Sequence, residues 1–225
     1  MKVRIWDLPL RLFHWALAVC VTVSIVTGLT GGNAMQVHYW SGYALIALLV
    51  FRLVWGVIGS HHARFANFVH GPGTVLRYVR GDDPRPEQLR AGHNPLGSLS
   101  VLALLTAVAL QVISGLFAND DIFNAGPLTS YVSNRTSALF TFYHTTIGQP
   151  LIYALVGLHL AAIAYYTAVK RQNLVRPMLT GDIDAVADMP SARDTWTGRL
   201  LALIVVAAGG VLAWWISTLG IVASY

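Results

Sequence analysis

A chain of 225 residues that is 55% hydrophobic and only 11% charged has too little polar surface for a soluble domain of that size. Its formal charge of +5 suits nucleic acid in principle, but the basic residues fall in short segments between long apolar runs, which is the pattern of a membrane protein and argues against a nucleic-acid partner. The single cysteine, Cys20, excludes an intrachain disulfide and cannot by itself hold an iron–sulfur cluster.

Five apolar stretches are long enough to cross a hydrocarbon core of ~30 Å, which takes about 20 helical residues. The first, 12–30, follows a short basic segment; it lacks a small-residue cleavage site and is longer than a signal core, so a retained helix is expected. The second covers 38–58. The loop 59–95 after it holds Gly71-Pro72-Gly73 and a polar run at 81–87, and a short amphipathic helix is expected over 65–79. The third stretch, 96–118, leads into a loop at 119–141 that carries Asp120 and Asp121 and is the segment available to an external partner. The fourth, 142–169, contains Pro150. A polar, acidic segment at 181–194 reads as a linker to the fifth, 200–222. Alternating strand patterns are absent and a lipid-embedded backbone must satisfy its own hydrogen bonds, so the expected fold is all-α, an integral membrane helical bundle. Residues 1–180 form a four-helix membrane domain, and 181–225 add a linker and an extra transmembrane helix. No internal repeat or low-complexity tract is evident.

Thirteen of the fifteen Lys and Arg residues lie in the N-terminal segment, the loop 59–95 and the segment 170–199. Arg135 alone falls on the other side, and Arg52 lies within the second stretch. The positive-inside rule then sets the N-terminus in the cytoplasm and the C-terminus outside.

Of eight histidines, His61, His62, His70 and His93 fall in the basic loop, where solvation is expected. His14, His38, His144 and His159 fall in the apolar stretches, where an ionisable group is costly and usually functional. Their depths pair them: His14 with His159 toward the inner side, His38 with His144 toward the outer. His144 and His159 lie on one helix, on the order of 20 Å apart at 1.5 Å per residue. Two imidazoles from facing helices are what a bis-histidine haem iron needs, and two such layers make a two-step electron path. The alternatives are a metal-ion or proton pathway lined by the same histidines, or histidines that cap helix ends. A metal pathway favours tighter His/Asp/Glu clusters, and the stretches contain no Asp or Glu.

Fifteen residues on an ideal helix turn His159 about 60° away from His144. Pro150 lies between them and removes an i−4 hydrogen bond, so a kink or a wide turn is expected there. Arg52, inside the second stretch, is a candidate to hold a haem propionate bidentately, and Arg11, one turn before His14, is a second; interfacial snorkelling is the other role for each. Trp6, Trp15, Trp40, Trp55, Trp214 and Trp215 read as interfacial belt residues.

The run Val3-Arg4-Ile5-Trp6-Asp7-Leu8-Pro9 followed by Arg11-Leu12-Phe13-His14-Trp15 resembles the bacterial cytochrome b-561-type family, which includes the cytochrome b subunits of nickel–iron hydrogenases. His38 with Gly42-Tyr43, Phe51-Arg52-Leu53-Val54-Trp55-Gly56, His62-Ala63-Arg64-Phe65, His93-Asn94-Pro95-Leu96-Gly97, His144, Leu158-His159 and Asn173-Leu174-Val175 extend the resemblance over about residues 1–180. It implies a four-helix core with two non-covalent b haems, and carries the axial ligands over to His14, His38, His144 and His159. It also implies electron transfer across the bacterial inner membrane between the quinone pool (ubiquinone or menaquinone) and a periplasmic redox protein, such as a c-type cytochrome, dehydrogenase or hydrogenase. The chain would then be an electron-transfer subunit of an oxidoreductase complex, with a homodimer allowed. Rival functions are a stand-alone superoxide:quinone oxidoreductase and, from another class, a histidine-lined metal-ion or proton transporter. The spacing across Pro150 looks one residue longer than the family's usual one, and the fifth helix lies beyond the resemblance, with packing or partner docking as its expected job.

Overall fold

Long runs of apolar residues without charge leave the backbone no partner but itself, and five helices of span length form where they were expected. The computed structural model describes residues 1–82, 92–184 and 189–222. In chain order it has strand β1 (Lys2–Arg4), helices α1 (Leu8–Thr30), α2 (Met35–Ile58), α3 (Phe65–Phe68), α4 (Pro72–Arg80), α5 (Pro95–Phe117) and α6 (Asn134–Phe142), a π-helical turn at Tyr143–Gly148, then α7 (Gln149–Ala168), α8 (Val175–Thr180), strand β2 (Asp182–Asp184) and α9 (Trp196–Val222). The fourth span is therefore α6, the π-turn and α7 in continuous succession. The expected helix over 65–79 is two helices. Gly71 has an extended backbone and Pro72 opens α4 at its first turn, where the missing N–H costs nothing. Part of the polar run at 81–87 lies outside the described residues.

Helix ends follow side-chain chemistry. Asp7 starts α1: its Oδ1 accepts from Leu10 N–H at 2.8 Å, satisfying one of the orphan donors of the first turn. Asn94 does the same for α5, accepting from Gly97 N–H at 2.7 Å, with Pro95 following it at the first helical position. Between α1 and α2 the chain reverses through Gly31 and Gly32, at φ 64° and 54°, a left-handed pair that residues with a Cβ adopt at a cost.

Two compact units divide the chain. The first gathers Met1–Phe13, Arg52–Ala103 and Leu155–Leu203; the second gathers His14–Phe51, Leu104–Ala154 and the chain from Ile204 onward.

In the first unit β1 and β2 pair antiparallel, with Val3 opposite Ile183. Arg4 bonds Asp182 at 2.8 Å and Asp194 at 3.1 Å, and Asp194 also receives Arg199 at 2.8 Å and Leu8 N–H at 3.3 Å. The acidic segment expected to be a linker thus contains a strand and a buried ionic anchor; residues 185–188 of it lie outside the described residues. The aromatic and basic residues of this unit interlock. Asp7, 1% exposed, accepts Trp55 Nε1–H at 3.0 Å. Arg52, 3% exposed, donates to Ala63 O at 3.1 Å and lies 4.4 Å from the centre of the Phe65 ring, a desolvated cation–π contact. Phe65 reaches α2 because Gly56 has no side chain; a Cβ there would stand 2.0 Å from Phe65 Cε2. His93 packs between Trp6 (4.8 Å) and Phe68 (4.5 Å). Trp6 and Trp55 are thus core residues, not belt residues, because each has a ring or carboxylate partner inside the unit. Trp15, Trp40, Trp214 and Trp215 are exposed, as a belt requires.

In the second unit α9 lies against α2. Gly209 brings the backbones together, and a Cβ on it would meet Ala47 O at 2.9 Å, the small-residue packing usual between membrane helices. The loop after α5 is ordered by one carboxylate: Asp120 Oδ1 accepts the N–H groups of Ile122, Phe123 and Asn124, each at 2.9 Å. Those bonds, Asn124's foremost, hold the Asp120 carboxyl well below the usual range. They leave Phe123 93% exposed at the loop tip.

Candidate functional site

Within the second unit α1, α2, α5 and the π-turn line a cavity of about 390 Å³, a size suited to a cofactor. Two of the four span histidines meet there. His38 stands in the first turn of α2 and His144 in the π-turn, with ring centres 6.2 Å apart and ring planes at 84°. The π-turn forms where Pro150 follows: Gln149 N–H bonds to His144 O, the i+5 pattern of a widened turn.

Each imidazole is held from behind by its Nδ1. His38 Nδ1–H donates to Ser24 O on α1 at 2.9 Å, and His144 Nδ1–H donates to Gln111 O on α5 at 2.9 Å. A carbonyl only accepts, so these bonds place the ring protons on Nδ1 and leave Nε2 of both rings as a lone-pair donor. That is the arrangement of histidines that ligate a metal. A metal about 2 Å from each ligating nitrogen separates two such ring centres by about 6 Å, the spacing seen here. The remaining lining is mostly apolar, including Val108, Val112, Leu116 and Ile152, with the Asp120 carboxylate at its loop end.

The other expected site residues lie elsewhere. His14 stands on α1 in the second unit, edge-on to Trp15. His159 stands on α7 in the first unit. Arg11 and Arg52 also belong to the first unit and are not among the lining residues of this cavity. Arg11 donates through Nη1 to Leu179 O, while its Nε is buried without a hydrogen-bond partner. Among the described residues no three His, Cys, Asp or Glu side chains converge as a metal cage requires.

The loop histidines are not uniformly solvated. His62 is buried and its Nε2–H donates to Pro190 O at 2.7 Å; burial pushes it below its ordinary pKa, with that bond opposing. His93 is packed between rings, as described above. His70 meets Ser98 Oγ at 3.2 Å and His61 meets Asn67. Reading position in a loop as solvation fails where the loop folds back over a core.

A membrane-spanning helical protein with two imidazole lone pairs presented in an apolar cavity defines a class, that of proteins holding a metal-centred cofactor between histidines. The chain belongs to the prokaryotic cytochrome b561 family, whose model matches residues 5–181. It is 26% identical to the probable Ni/Fe-hydrogenase B-type cytochrome subunit of Azotobacter chroococcum mcd 1, over 80% of this chain and 87% of that protein. It is 24% identical to the protein of the same description from Rhodobacter capsulatus, over 80% of each. The Ni/Fe-hydrogenase 1 counterpart from Escherichia coli strain K12 is 21% identical over 49% of this chain and 57% of its own length. No solved structure matches the chain.

The family is one of membrane electron-transfer cytochromes with haem b as cofactor, and this chain is a multi-pass membrane protein of that family. The residues present fit the group: the ring spacing, the bare Nε2 atoms and the cavity all suit it. Held by His38 and His144, a b haem would supply a one-electron ferric/ferrous couple. The chain's own part would be to fix the two imidazoles through their Nδ1 protons and hold the rings nearly perpendicular.

Proposed function

We propose that the chain is the di-haem electron-transfer subunit of a membrane oxidoreductase, with one b haem between His38 and His144 and a second between His14 and His159. The observation that carries this reading is the His38–His144 pair, 6.2 Å apart with both Nδ1 atoms bonded to helix carbonyls. The second pair is supported by depth along the sequence, since both residues fall near the other end of their spans. The buried, unsatisfied Nε of Arg11 suits a carboxylate such as a propionate of that second haem, and Arg52 is the other buried cation available for one.

Electrons pass between ubiquinone or menaquinone and a redox protein on the periplasmic side of a bacterial inner membrane. The descriptions of the relatives support a hydrogenase as that partner; a c-type cytochrome or another dehydrogenase would use the same path. The distribution of Lys and Arg supports a cytoplasmic N-terminus and a periplasmic C-terminus.

The test is haem content of the purified chain, with the reduced α-band of b haem as signature. Two haems per chain are expected in the unaltered protein. His38→Ala and His144→Ala should each lose the same haem, and His14→Ala and His159→Ala the other, so that haem falls by about half in each. A colourless protein, or four variants that all retain both haems, would refute the reading.

A further inference from the structure

The supports behind His38 and His144 are built alike. On α1 the run Ser24-Ile25-Val26-Thr27-Gly28-Leu29 meets His38; on α5 the run Gln111-Val112-Ile113-Ser114-Gly115-Leu116 meets His144. In both, the first residue's carbonyl takes the Nδ1 proton at 2.9 Å. Three residues later a hydroxyl stands beside the same nitrogen: Thr27 Oγ1 at 3.4 Å from His38 Nδ1, Ser114 Oγ at 3.1 Å from His144 Nδ1.

Each hydroxyl gives its own proton to a helix carbonyl, Thr27 to Val23 O at 2.6 Å and Ser114 to Gln111 O at 2.9 Å. What each turns toward its imidazole is therefore a lone pair. One residue further on stands a glycine. A Cβ on Gly28 would lie 3.3 Å from His38 Cε1, and one on Gly115 would lie 2.9 Å from His144 Cε1.

The α5 copy has one more element. Gln111 Nε2 donates to His144 O at 2.9 Å, so a single residue holds His144 at both ends, its backbone carbonyl on the ring and its side chain on the main chain. The carbonyl it reaches is the one that also takes the i+5 bond of the π-turn. The amide fits because Gly148 has no side chain; a Cβ there would stand 2.0 Å from Gln111 Oε1.

We propose that Thr27 and Gly28 on α1, and Gln111, Ser114 and Gly115 on α5, are matched positioning residues that set the tautomer, depth and mutual rotation of the two axial imidazoles of one haem. This rests on the His38/His144 reading above and goes beyond it by naming what tunes the ligands. Hydrogen bonds to Nδ1–H raise ligand basicity, so these residues act on the potential of that haem and leave the other untouched. Rings crossed at 84° give a strongly anisotropic low-spin ferric signal, which reports their rotation directly.

The experiment uses the purified full chain, with low-temperature electron paramagnetic resonance and a redox titration of both haems. Gly115→Ala, with the closer contact, should shift the largest g-value of one haem or release that haem alone, and Gly28→Ala should do so more weakly. Ser114→Ala, which removes atoms and adds none, should keep two haems and shift the potential of the same one. Gly210→Ala serves as the control, since a Cβ there meets nothing within 4 Å; it should change neither signal. Two haems with unaltered g-values and potentials in all of Gly28→Ala, Gly115→Ala and Ser114→Ala would overturn the positioning role while leaving the ligand assignment standing. A colourless wild-type protein would overturn both.

Discussion

Asp7 shows how much one side chain organises. Its carboxylate takes Leu10 N–H at the start of α1 and the indole N–H of Trp55, and it is 1% exposed. Asp7→Ala removes a helix cap and leaves a buried indole donor without its acceptor, so a loss of about 1–3 kcal/mol is expected. The unfolding midpoint of the solubilised protein, compared with that of Asp7→Asn, checks it; Asn retains the cap and should lose less. At this scale His38 and His144, whose rings the structure brings together, were visible in the sequence because an ionisable group in hydrocarbon is costly and stands out. Ser24, Thr27, Gly28, Gln111, Ser114 and Gly115 were not. Small and hydroxyl residues are common in membrane helices for ordinary packing, and an echo of six residues with only Gly-Leu strictly shared is visible as a repeat only once both runs are seen behind an imidazole. Trp6, Trp55 and His62 were misplaced for the converse reason: their types favour the interface or solvent, and tertiary partners drew them inside.

The elements bear out the expected spans closely, since length and apolarity alone decide them. Pro150 also acted as its chemistry requires. With no N–H to give, it leaves the preceding turn free to widen, and the outcome is a π-helix at Tyr143–Gly148. A π-turn accommodates one extra residue in a helix. The β1–β2 ribbon was illegible, because three-residue strands far apart in sequence have no periodicity to detect. Its stability should depend on pH. Hydrogen bonds from Arg4 to Asp182 and from Arg199 to Asp194 depress both carboxyl pKa values. A depressed carboxyl contributes stability above its unfolded value, about 3.9, and that contribution is lost as pH falls through the folded value. Burial depresses His62 as well, so its contribution is full above about 6.5 and declines on acidification below that. The protection factors of the Val3 and Ile5 amides, which divide out the intrinsic pH dependence of exchange, should therefore be greatest near neutrality and fall as the medium is acidified, and Asp194→Asn should flatten the acid end of the profile.

For the molecule as a whole, the apolar side chains left uncovered on the span helices, such as Val19, Leu158, Leu203 and Val211, make the case for lipid that composition began; a soluble surface does not carry so many. The asymmetry of basic residues makes a prediction about sidedness. With Cys20 changed to serine, Phe123→Cys at the exposed loop tip should react with a membrane-impermeant maleimide in intact cells, and a cysteine at Lys2 should react only after the membrane is opened. The reverse pattern would invert the orientation. The pairing of β1 with β2 also has a consequence for biosynthesis. Arg4 and its partner Asp182 are separated by 178 positions, so the first strand leaves the ribosome long before its mate exists. The amino-terminal residues must wait, unzipped, while four spans are threaded into the bilayer, and only then is the beginning of the chain buttoned to the segment that precedes the last helix.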